Sequence, residues 1–358
     1  MSEPRLTRRG FLRLGLLVPA APPLLSSLLS ACFKKEKQRV VNFFNWSAYI
    51  AKDTLPNFSK ETGIKVNYDV FADEEEMFAK LRSGAMGYDL IVATDYLLPR
   101  LRSTNLIAPI PMSDLQNLGN LDRKFLNPPY DPDQQFSIPY LWGTTGIGYN
   151  KKLLPKAPTS WLDLWDEKYK GRISMLDNAR DCISIALLLK GYPETTVDEK
   201  QFAEVKAFLL KQKPLLKQYT SSTYIDSLIN GEVLMAMAWS GDVLQALREN
   251  PQLDYVIPKE GSYSYVDCLC LVRGGAHRED TVRLIDYLLR PEVAAEICNT
   301  VRFATPNAAA KALIAPALLK DKRIYPQPET LKKLAFHALL DSEAYSLWNE
   351  TWSDVKAL

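Results

Sequence analysis

The chain from residue 40 onwards alternates short apolar runs with amphipathic segments. An apolar run at 40–41 continues into FFNWSAYI at 43–50, and residues 64–70 alternate apolar and polar side chains. Segments 54–61 and 73–82 have helical periodicity, and the second has acids in its first turn and bases in its last, as the helix dipole favours. The pattern predicts a strand, helix, strand, helix order at the start of the folded chain.

The same alternation continues along the rest of the chain. We predict further strands at 89–93, 172–176, 233–238 and 262–272, and helices at 182–190, 202–211, 243–249 and 281–289. Strands that alternate with helices indicate an α/β fold, in which helices cover a largely parallel sheet.

A glycine-bearing stretch, SIPYLWGTTGIGYN at 137–150, has two interpretations. Its three glycines would let two strands bridge a pair of domains and bend at few residues, as hinge closure requires. The alternative is a hairpin within a single core. The segment alone does not decide between them.

The first 32 residues have the composition of an export signal. A charged start precedes an apolar middle and LSAC at 29–32, which predicts a signal peptide over 1–31. TRRGFL at 7–12 resembles the twin-arginine export signal, and LSAC resembles a lipobox whose Cys32 is lipidated. We expect residues 32–38 to form a solvated tether. The protein would then associate with the membrane only through the lipid anchor on Cys32.

Size and charge exclude several classes of protein. A chain of 358 residues, 47% hydrophobic and 24% charged, suits two domains of an ordinary globular protein. No internal segment is apolar enough to span a bilayer. Without residues 1–31 the chain carries 40 basic and 41 acidic residues, so no basic excess is left for nucleic-acid phosphates.

Cysteine and histidine are too sparse to predict a metal centre. Beyond Cys32 the chain has Cys182, Cys268, Cys270 and Cys298, and its histidines are His277 and His337. No C-x-x-C pair occurs, and cysteines two apart on a strand share one buried face. We expect no metal and no cofactor, while an oxidising compartment leaves a disulfide open.

Polar and aromatic side chains follow the predicted strands, where ligands bind in open α/β sheets. They are Trp46, Ser47 and Tyr49 after the first strand, Thr94, Asp95 and Tyr96 after 89–93, Asp177, Asn178, Arg180 and Asp181 after 172–176, and Trp239, Ser240, Gly241 and Asp242 after 233–238. Asp177 and Asp242 have an equally plain interpretation as helix N-caps, and Asp181 as a first-turn acid that complements a helix dipole.

Asp267 is harder to explain structurally. It interrupts the apolar run YVDCLCLV at 265–272, and a carboxylate in a buried strand is costly unless a cation or several donors meet it. Together the candidates are acids and aromatic rings, which suit a cationic ligand with an apolar chain: carboxylates hold ammonium groups, and ring faces attract them.

Nearly all of residues 39–345 resembles the periplasmic spermidine- and putrescine-binding proteins of bacterial ABC transporters. The matching stretches are FFNWSAYI, FSKETGIKVNYDVF, GYDLIVATDY, SIPYLWGTTGIGYN, LDNARD, NGEVLMAMAWSGDV, IPKEGSYSYVDCL, IDYLLRPEVA and ATPNAAA. In that family a linear polyamine binds in the cleft between two α/β lobes, each a mixed sheet flanked by helices, which is the type II periplasmic-binding-protein fold.

The resemblance implies the organisation of the chain and its partners. It places a first lobe at 39–143 and 264–304, a second at 147–260 and 306–358, and hinges near 144–146, 261–263 and 305. It implies a periplasmic receptor without enzymatic activity that delivers its ligand to an ABC permease. A monomer suits such a receptor.

The resemblance also implies roles for individual residues. Trp46, Ser47 and Tyr49 match the family's first ligand loop, and Thr94 and Tyr96 match its second. Asp181 matches an acid at the start of a second-lobe helix, and Asp267 matches the principal amine-binding carboxylate. Trp239 matches an aromatic wall of the site, and Tyr265 matches an aromatic neighbour. Phe303 takes a place that Tyr usually holds, so a hydroxyl contact is expected to be missing.

The length of the ligand stays open. WSGD at 239–242 resembles the putrescine branch, in which this Asp meets an amine. LDNARD at 176–181 resembles the spermidine branch, although Asn178 stands where that branch has an acid and His337 where it has Gln. We expect both diamines and triamines to bind.

Two other functions fit some of the same residues. Two of the aspartates could serve a secreted hydrolase as acid and base, although no spacing in the sequence enforces such a pair. The same fold could also bind a different cationic small molecule.

Overall fold

The helices and strands predicted from the sequence form within a few residues of their predicted ends, and further elements, among them the helices Pro291–Val301 and Ser342–Ala357, were not predicted. The computed structural model describes residues 38–84 and 87–358, and its folded unit runs from Arg39 to Leu358. The predicted signal peptide, Cys32 and the predicted tether up to residue 37 lie outside the described residues.

The strands are numbered in chain order. They are β1 Val40–Trp46, β2 Lys65–Phe71, β3 Leu90–Thr94, β4 Ile107–Ala108, β5 Ile138–Asn150, β6 Ile173–Met175, β7 Leu216–Tyr219, β8 Met235–Trp239, β9 Leu253–Val256, β10 Ser262–Val272 and β11 Leu334–Phe336.

The helices are numbered in the same way. They are α1 Thr54–Thr62, α2 Glu74–Ser83, α3 Leu98–Ser103, α4 Ala179–Lys190, α5 Glu199–Gln212, α6 Tyr224–Ile229, α7 Ser240–Ala246, α8 Arg278–Leu288, α9 Pro291–Val301, α10 Pro316–Leu319, α11 Pro328–Leu331 and α12 Ser342–Ala357. No helix in the described part of the chain is both long and apolar enough to cross a membrane.

The sheet is mixed, whereas the sequence pattern predicted a largely parallel one. Its strand order is β2-β1-β3-β10-β5-β8-β6-β7. The outer strands pair in parallel, as in β1 with β2 and β3, and β6 with β7 and β8. The long strands β5 and β10 are antiparallel to each other and to the neighbours that flank them in this order, β3 and β8, because the chain crosses the middle of the sheet in both directions.

The stretch at 137–150 forms one continuous strand, β5, so the hairpin interpretation was wrong. Its first part pairs with β10 up to Thr144, and from Thr145 onwards it pairs with β8. Two of its glycines, Gly143 and Gly146, leave room for neighbouring tyrosine rings, and a Cβ at Gly143 would lie 2.6 Å from the Tyr265 hydroxyl oxygen. Close packing, more than backbone freedom, accounts for this glycine.

Both faces of the sheet are buried. Val41 and Phe43 of β1 pack into one apolar cluster, while Phe44 packs into a cluster on the opposite face, as alternation along a strand requires. A third cluster surrounds β6 and β8. Because these cores fix the strands on both sides, the strand ends are held in defined positions around the candidate site.

Candidate functional site

A cavity of about 410 Å³ lies where β1 and β3, on one side of the central strands β10 and β5, and β8, on the other side, end. All eleven residues proposed from the sequence to bind ligand line it: Trp46, Ser47, Tyr49, Thr94, Tyr96, Asp181, Trp239, Asp242, Tyr265, Asp267 and Phe303. The structure therefore brings together side chains that are up to 257 positions apart in the chain.

Local structure explains why these side chains converge. Trp46, Thr94 and Trp239 are the last residues of β1, β3 and β8, so the loops that follow open onto the same edge. The antiparallel register of β10 with β3 places Asp267 opposite Thr94. A residue in the middle of a long strand is thereby brought level with the end of β3.

Asp267 is a buried carboxylate held by two hydroxyl groups. Its Oδ2 accepts a hydrogen bond from Tyr49 Oη at 2.5 Å, and its Oδ1 accepts one from Thr94 Oγ1 at 2.8 Å. The residue is 4% exposed. Burial raises the pKa of Asp267 to about 6, although the two hydroxyl hydrogen bonds oppose the shift. At neutral pH the group is mostly ionised, and no cationic side chain in residues 38–84 and 87–358 forms an ion pair with it.

Asp242 lies in the first turn of α7 and accepts a hydrogen bond from Tyr224 Oη at 2.6 Å. The N-cap of α7 is Trp239, which makes no side-chain cap bond, so the N-cap interpretation of Asp242 was wrong. Burial raises the pKa of Asp242 to about 6, the Tyr224 hydrogen bond lowers it and Asp267 raises it. The coupling between the two acids follows from their shared cavity.

Asp181 is largely engaged by the protein itself. Its Oδ1 accepts from Thr145 Oγ1 at 2.7 Å, and its Oδ2 accepts from Trp239 Nε1 at 3.2 Å. Asn178 is the N-cap of α4, and its side chain accepts from the Asp181 N–H at 3.0 Å. Asp181 therefore accepts as many side-chain hydrogen bonds as Asp267 and one more than Asp242.

A buried histidine also contacts Asp181. His337 Nε2 lies 3.8 Å from Asp181 Oδ1, and its Nδ1 lies 2.7 Å from Glu194 Oε1. Burial opposes its charge, but the two carboxylates raise the pKa of His337 to about 9. Burial would raise the pKa of Glu194, but His337 and Arg180, whose Nη2 lies 3.4 Å from Glu194 Oε1, lower it to about 2. An imidazolium ion is thus built into the wall beside Asp181.

Aromatic rings form the apolar part of the wall. The rings of Trp46 and Trp239 have centroids 6.0 Å apart at 64°, and those of Tyr49 and Phe303 are 4.7 Å apart at 71°. Trp46 Nε1 and the Tyr265 hydroxyl are buried and have no hydrogen-bond partner among the described residues. These two groups can still hydrogen-bond to a bound molecule.

Two residues that complete the site were not proposed from the sequence. Tyr224, on α6, positions Asp242. Glu74, at the start of α2, lines the cavity and accepts a hydrogen bond from Tyr96 Oη at 2.7 Å. The pattern of α2 marked Glu74 only as a first-turn acid, and nothing in the sequence distinguishes it from Glu75.

Two other acids that follow predicted strands lie outside the cavity wall. Asp95 is buried and its carboxylate accepts from the backbone N–H groups of Tyr96 and Val266 at 2.8 and 3.3 Å, so it holds the loop. Asp177 forms an ion pair with Lys356 at 2.6 Å and is not the N-cap of α4. Their roles are structural.

The lining is strongly acidic. Its acids are Glu74, Asp181, Asp226, Asp242, Glu249 and Asp267, against Arg248 and His337 as bases. No group of three or more potential ligands in residues 38–84 and 87–358 is arranged to hold a metal ion. An acidic wall with flat rings is chemically suited to an organic cation.

Comparison with known proteins agrees with this chemistry. The model of the bacterial extracellular solute-binding protein family matches residues 55–326. The spermidine/putrescine-binding periplasmic protein of Escherichia coli is 37% identical over 88% of this chain and 91% of its own length. The putrescine-binding periplasmic protein SpuD of Pseudomonas aeruginosa is 33% identical over 89% of this chain and 92% of its own.

A solved structure gives the same fold. A spermidine/putrescine ABC transporter protein from Listeria monocytogenes superposes with a TM-score of 0.84 at 31% identity, covering 89% of this chain and 99% of that one. The two-lobed type II periplasmic-binding-protein fold expected from the resemblance is therefore confirmed. The chain belongs to the family of bacterial extracellular solute-binding proteins, alongside the polyamine-binding periplasmic proteins.

Proposed function

We propose that this protein captures putrescine, spermidine or both in the cavity between its lobes and delivers them to an ABC permease. The observation that carries the proposal is the cavity itself, in which buried carboxylates from different elements face aromatic rings and no described cationic side chain forms an ion pair with Asp242 or Asp267. The names of the relatives at 37% and 33% identity support the same ligand class.

Each part of the wall suits one part of a polyamine. Asp267 and Asp242 are suited to ammonium groups through charge-assisted hydrogen bonds, with Trp46, Trp239 and Tyr265 contributing cation–π attraction of about 0.5 to 2 kcal/mol each. Methylene groups between the ammonium groups would lie against the rings, at about 0.8 kcal/mol for each buried CH₂. Asp181, unlike Asp267, has a cationic neighbour in His337 besides its two donors, which favours an indirect role for Asp181.

Closure of two lobes would complete the site. The lobes we propose are 39–143 with 264–304, and 147–260 with 306–358, joined near 144–146, 261–263 and 305. The change of partner along β5 between Thr144 and Thr145 supports a hinge there. A ligand stabilises the closed form only through contacts with both lobes, which acids on α7 and β10 together would provide.

The cellular setting is part of the proposal. Export through a twin-arginine signal, lipidation at Cys32 and a monomeric receptor at the periplasmic face fit a family of extracellular solute-binding proteins. A transport role without enzymatic activity also fits that family better than a secreted hydrolase does.

Titration calorimetry on the chain without residues 1–32 tests the proposal. We expect putrescine or spermidine to bind at micromolar or lower concentration, and 1,4-butanediol, which has the same carbon chain and no charge, not to bind. Ligand recovered unchanged after long incubation would support a receptor over a hydrolase. If neither polyamine binds at millimolar concentration, or if the diol binds as well as the diamine, the proposed function is wrong.

A further inference from the structure

Glu74 differs from the acids next to it in the same helical turn. Glu74, Glu75 and Glu76 all lie in the first turn of α2, where acids complement the helix dipole. Glu75 and Glu76 are exposed, and they pair with Arg100 and Lys80. Glu74 is 8% exposed and lines the cavity. A role at the helix terminus does not require this burial.

The carboxyl group of Glu74 has few partners of its own. Tyr96 Oη donates to Oε2 at 2.7 Å, and Oε1 is buried without a hydrogen-bond partner in the described chain. The hydroxyl of Thr94 also lies near Glu74, but it donates to Asp267 Oδ1 at 2.8 Å. By contrast, Asp267 has two hydroxyl donors, and Asp181 has two donors and an imidazolium ion.

The charges around Glu74 are unfavourable to its ionised form. Asp73 at the N-cap of α2 and Asp267 on β10 both act on it as negative groups. The Tyr345 hydroxyl on α12 donates to the neighbouring Glu75 at 2.6 Å, and the charge of Glu74 raises the pKa of that phenol. The cations in the neighbourhood lie around the ring of Tyr96, with Arg180 at 5.4 Å and the His337 ring at 5.2 Å.

We propose, resting on the polyamine function above, that Glu74 is a further ammonium-binding residue of the cavity and loses a proton when the ligand binds. In the empty protein the group is a neutral carboxylic acid. On binding, its O–H bond breaks and the proton leaves to solvent, while the carboxylate accepts N–H hydrogen bonds from an ammonium that keeps its own protons. No oxidation or reduction is involved.

The energetics agree with this assignment. Burial raises the pKa of Glu74 to about 8, the hydroxyl groups of Thr94 and Tyr96 oppose the shift, and the charges of Asp267 and Asp73 increase it. At pH 7 about nine-tenths of the empty protein would carry this proton. An ammonium ion next to the carboxyl favours its charged form, so binding releases up to about 0.9 proton from this residue.

Calorimetry in two buffers with different ionisation enthalpies, at the same pH, measures the protons released on putrescine or spermidine binding. At pH 7 we expect wild-type protein to release about 0.9 proton more than Glu74→Gln. At pH 7 Asp242 and Asp267, with pKa values of about 6, are mostly ionised and His337, with a pKa of about 9, is mostly protonated before the ligand binds, so these groups add little to the difference. Glu76→Gln, which removes an exposed carboxylate from the same turn, is the control and should release as much as wild type.

The pH dependence of the affinity is an independent measure of the proton that Glu74 loses when the ligand binds. Between pH 6.5 and 7.5, wild-type affinity should rise about eightfold more than the affinity of Glu74→Gln. If Glu74→Gln binds polyamine with the same proton release and pH dependence as wild type, the assignment of Glu74 is wrong and the proposed function stands. If no polyamine binds to wild type, the proposed function fails and this inference fails with it.

A measurement on wild-type protein covers the case in which Glu74→Gln does not fold. With ¹³C-labelled glutamate carboxyl groups, NMR should detect one glutamate that titrates near pH 8 in the empty protein and is ionised above pH 6 in the complex. The absence of any glutamate that titrates near pH 8 in the empty protein would overturn the inference.

Discussion

Asparagine in place of Asp267 keeps the size of the side chain and removes its charge. The carboxylate is 4% exposed and is held by Tyr49 and Thr94, so an ammonium bound to it would meet a charge that water screens poorly. Removing one partner of a buried, hydrogen-bonded charge pair costs about 2 to 5 kcal/mol. We expect Asp267→Asn to raise the Kd for polyamines by roughly 30-fold to several thousand-fold.

The same substitution should not destabilise the empty protein. The pKa of Asp267 is raised from 3.8 to about 6 by burial. Because the folded-state pKa lies above the unfolded-state value, the ionised group opposes folding at neutral pH, by about 3 kcal/mol at most. Empty Asp267→Asn should therefore unfold at the same temperature as wild type or higher, although its affinity is lower.

Calorimetry and thermal unfolding of the same samples test both expectations. Asp226→Asn is the matched control, because Asp226 also lines the cavity but is exposed on α6, and a solvent-screened charge should change the Kd less than about fivefold. Binding by Asp267→Asn within threefold of wild type would contradict the placement of an ammonium at this carboxylate. So would an equal loss of affinity in the two variants.

Three further outcomes follow from the charges of the site. Lowering the pH through 6 should weaken polyamine binding, because Asp242 and Asp267, each with a pKa near 6, become protonated; calorimetry from pH 5 to 7 measures this, and constant affinity would contradict it. His337→Gln removes the imidazolium beside Asp181. Because spermidine has one more ammonium group than putrescine, its affinity relative to that of putrescine should rise; an unchanged or lower ratio would show that His337 does not disfavour the triamine. Glu194 has a pKa lowered from 4.5 to about 2, so Glu194→Gln should lower the free energy of unfolding by up to about 3 kcal/mol at pH 7; in denaturant titrations this difference should diminish as the pH falls from 4.5 towards 2.

The positions of the site residues could be predicted where strands end. Trp46, Thr94 and Trp239 terminate strands whose apolar character is plain in the sequence, and the rule for open sheets then places the loops that follow at one edge. Asp267 could be identified because a carboxylate is costly in a buried strand. The fold class followed from the same alternation of strands and helices, together with the resemblance to a known family.

What could not be predicted depends on contacts between distant segments. Tyr224 reaches Asp242 from another helix, and Glu74 resembles its exposed neighbours in sequence although it alone is buried among them. Similarly, nothing local in 137–150 distinguishes a hairpin from one long strand, because the pairing of β5 with β10 involves residues more than a hundred positions later. Strand direction, and hence the mixed sheet, depends on the same remote pairing.

The change of partner along β5 connects the backbone directly to the ligand cavity. Thr144 is the last residue that pairs with β10 and Thr145 the first that pairs with β8, and the hydroxyl of Thr145 holds Asp181. A rotation about this peptide would displace that carboxylate together with the indole of Trp239 that donates to it. The hinge that we propose at Thr144 and Thr145 would therefore change the position of Asp181 in the cavity whenever the angle between the two parts of the sheet changes.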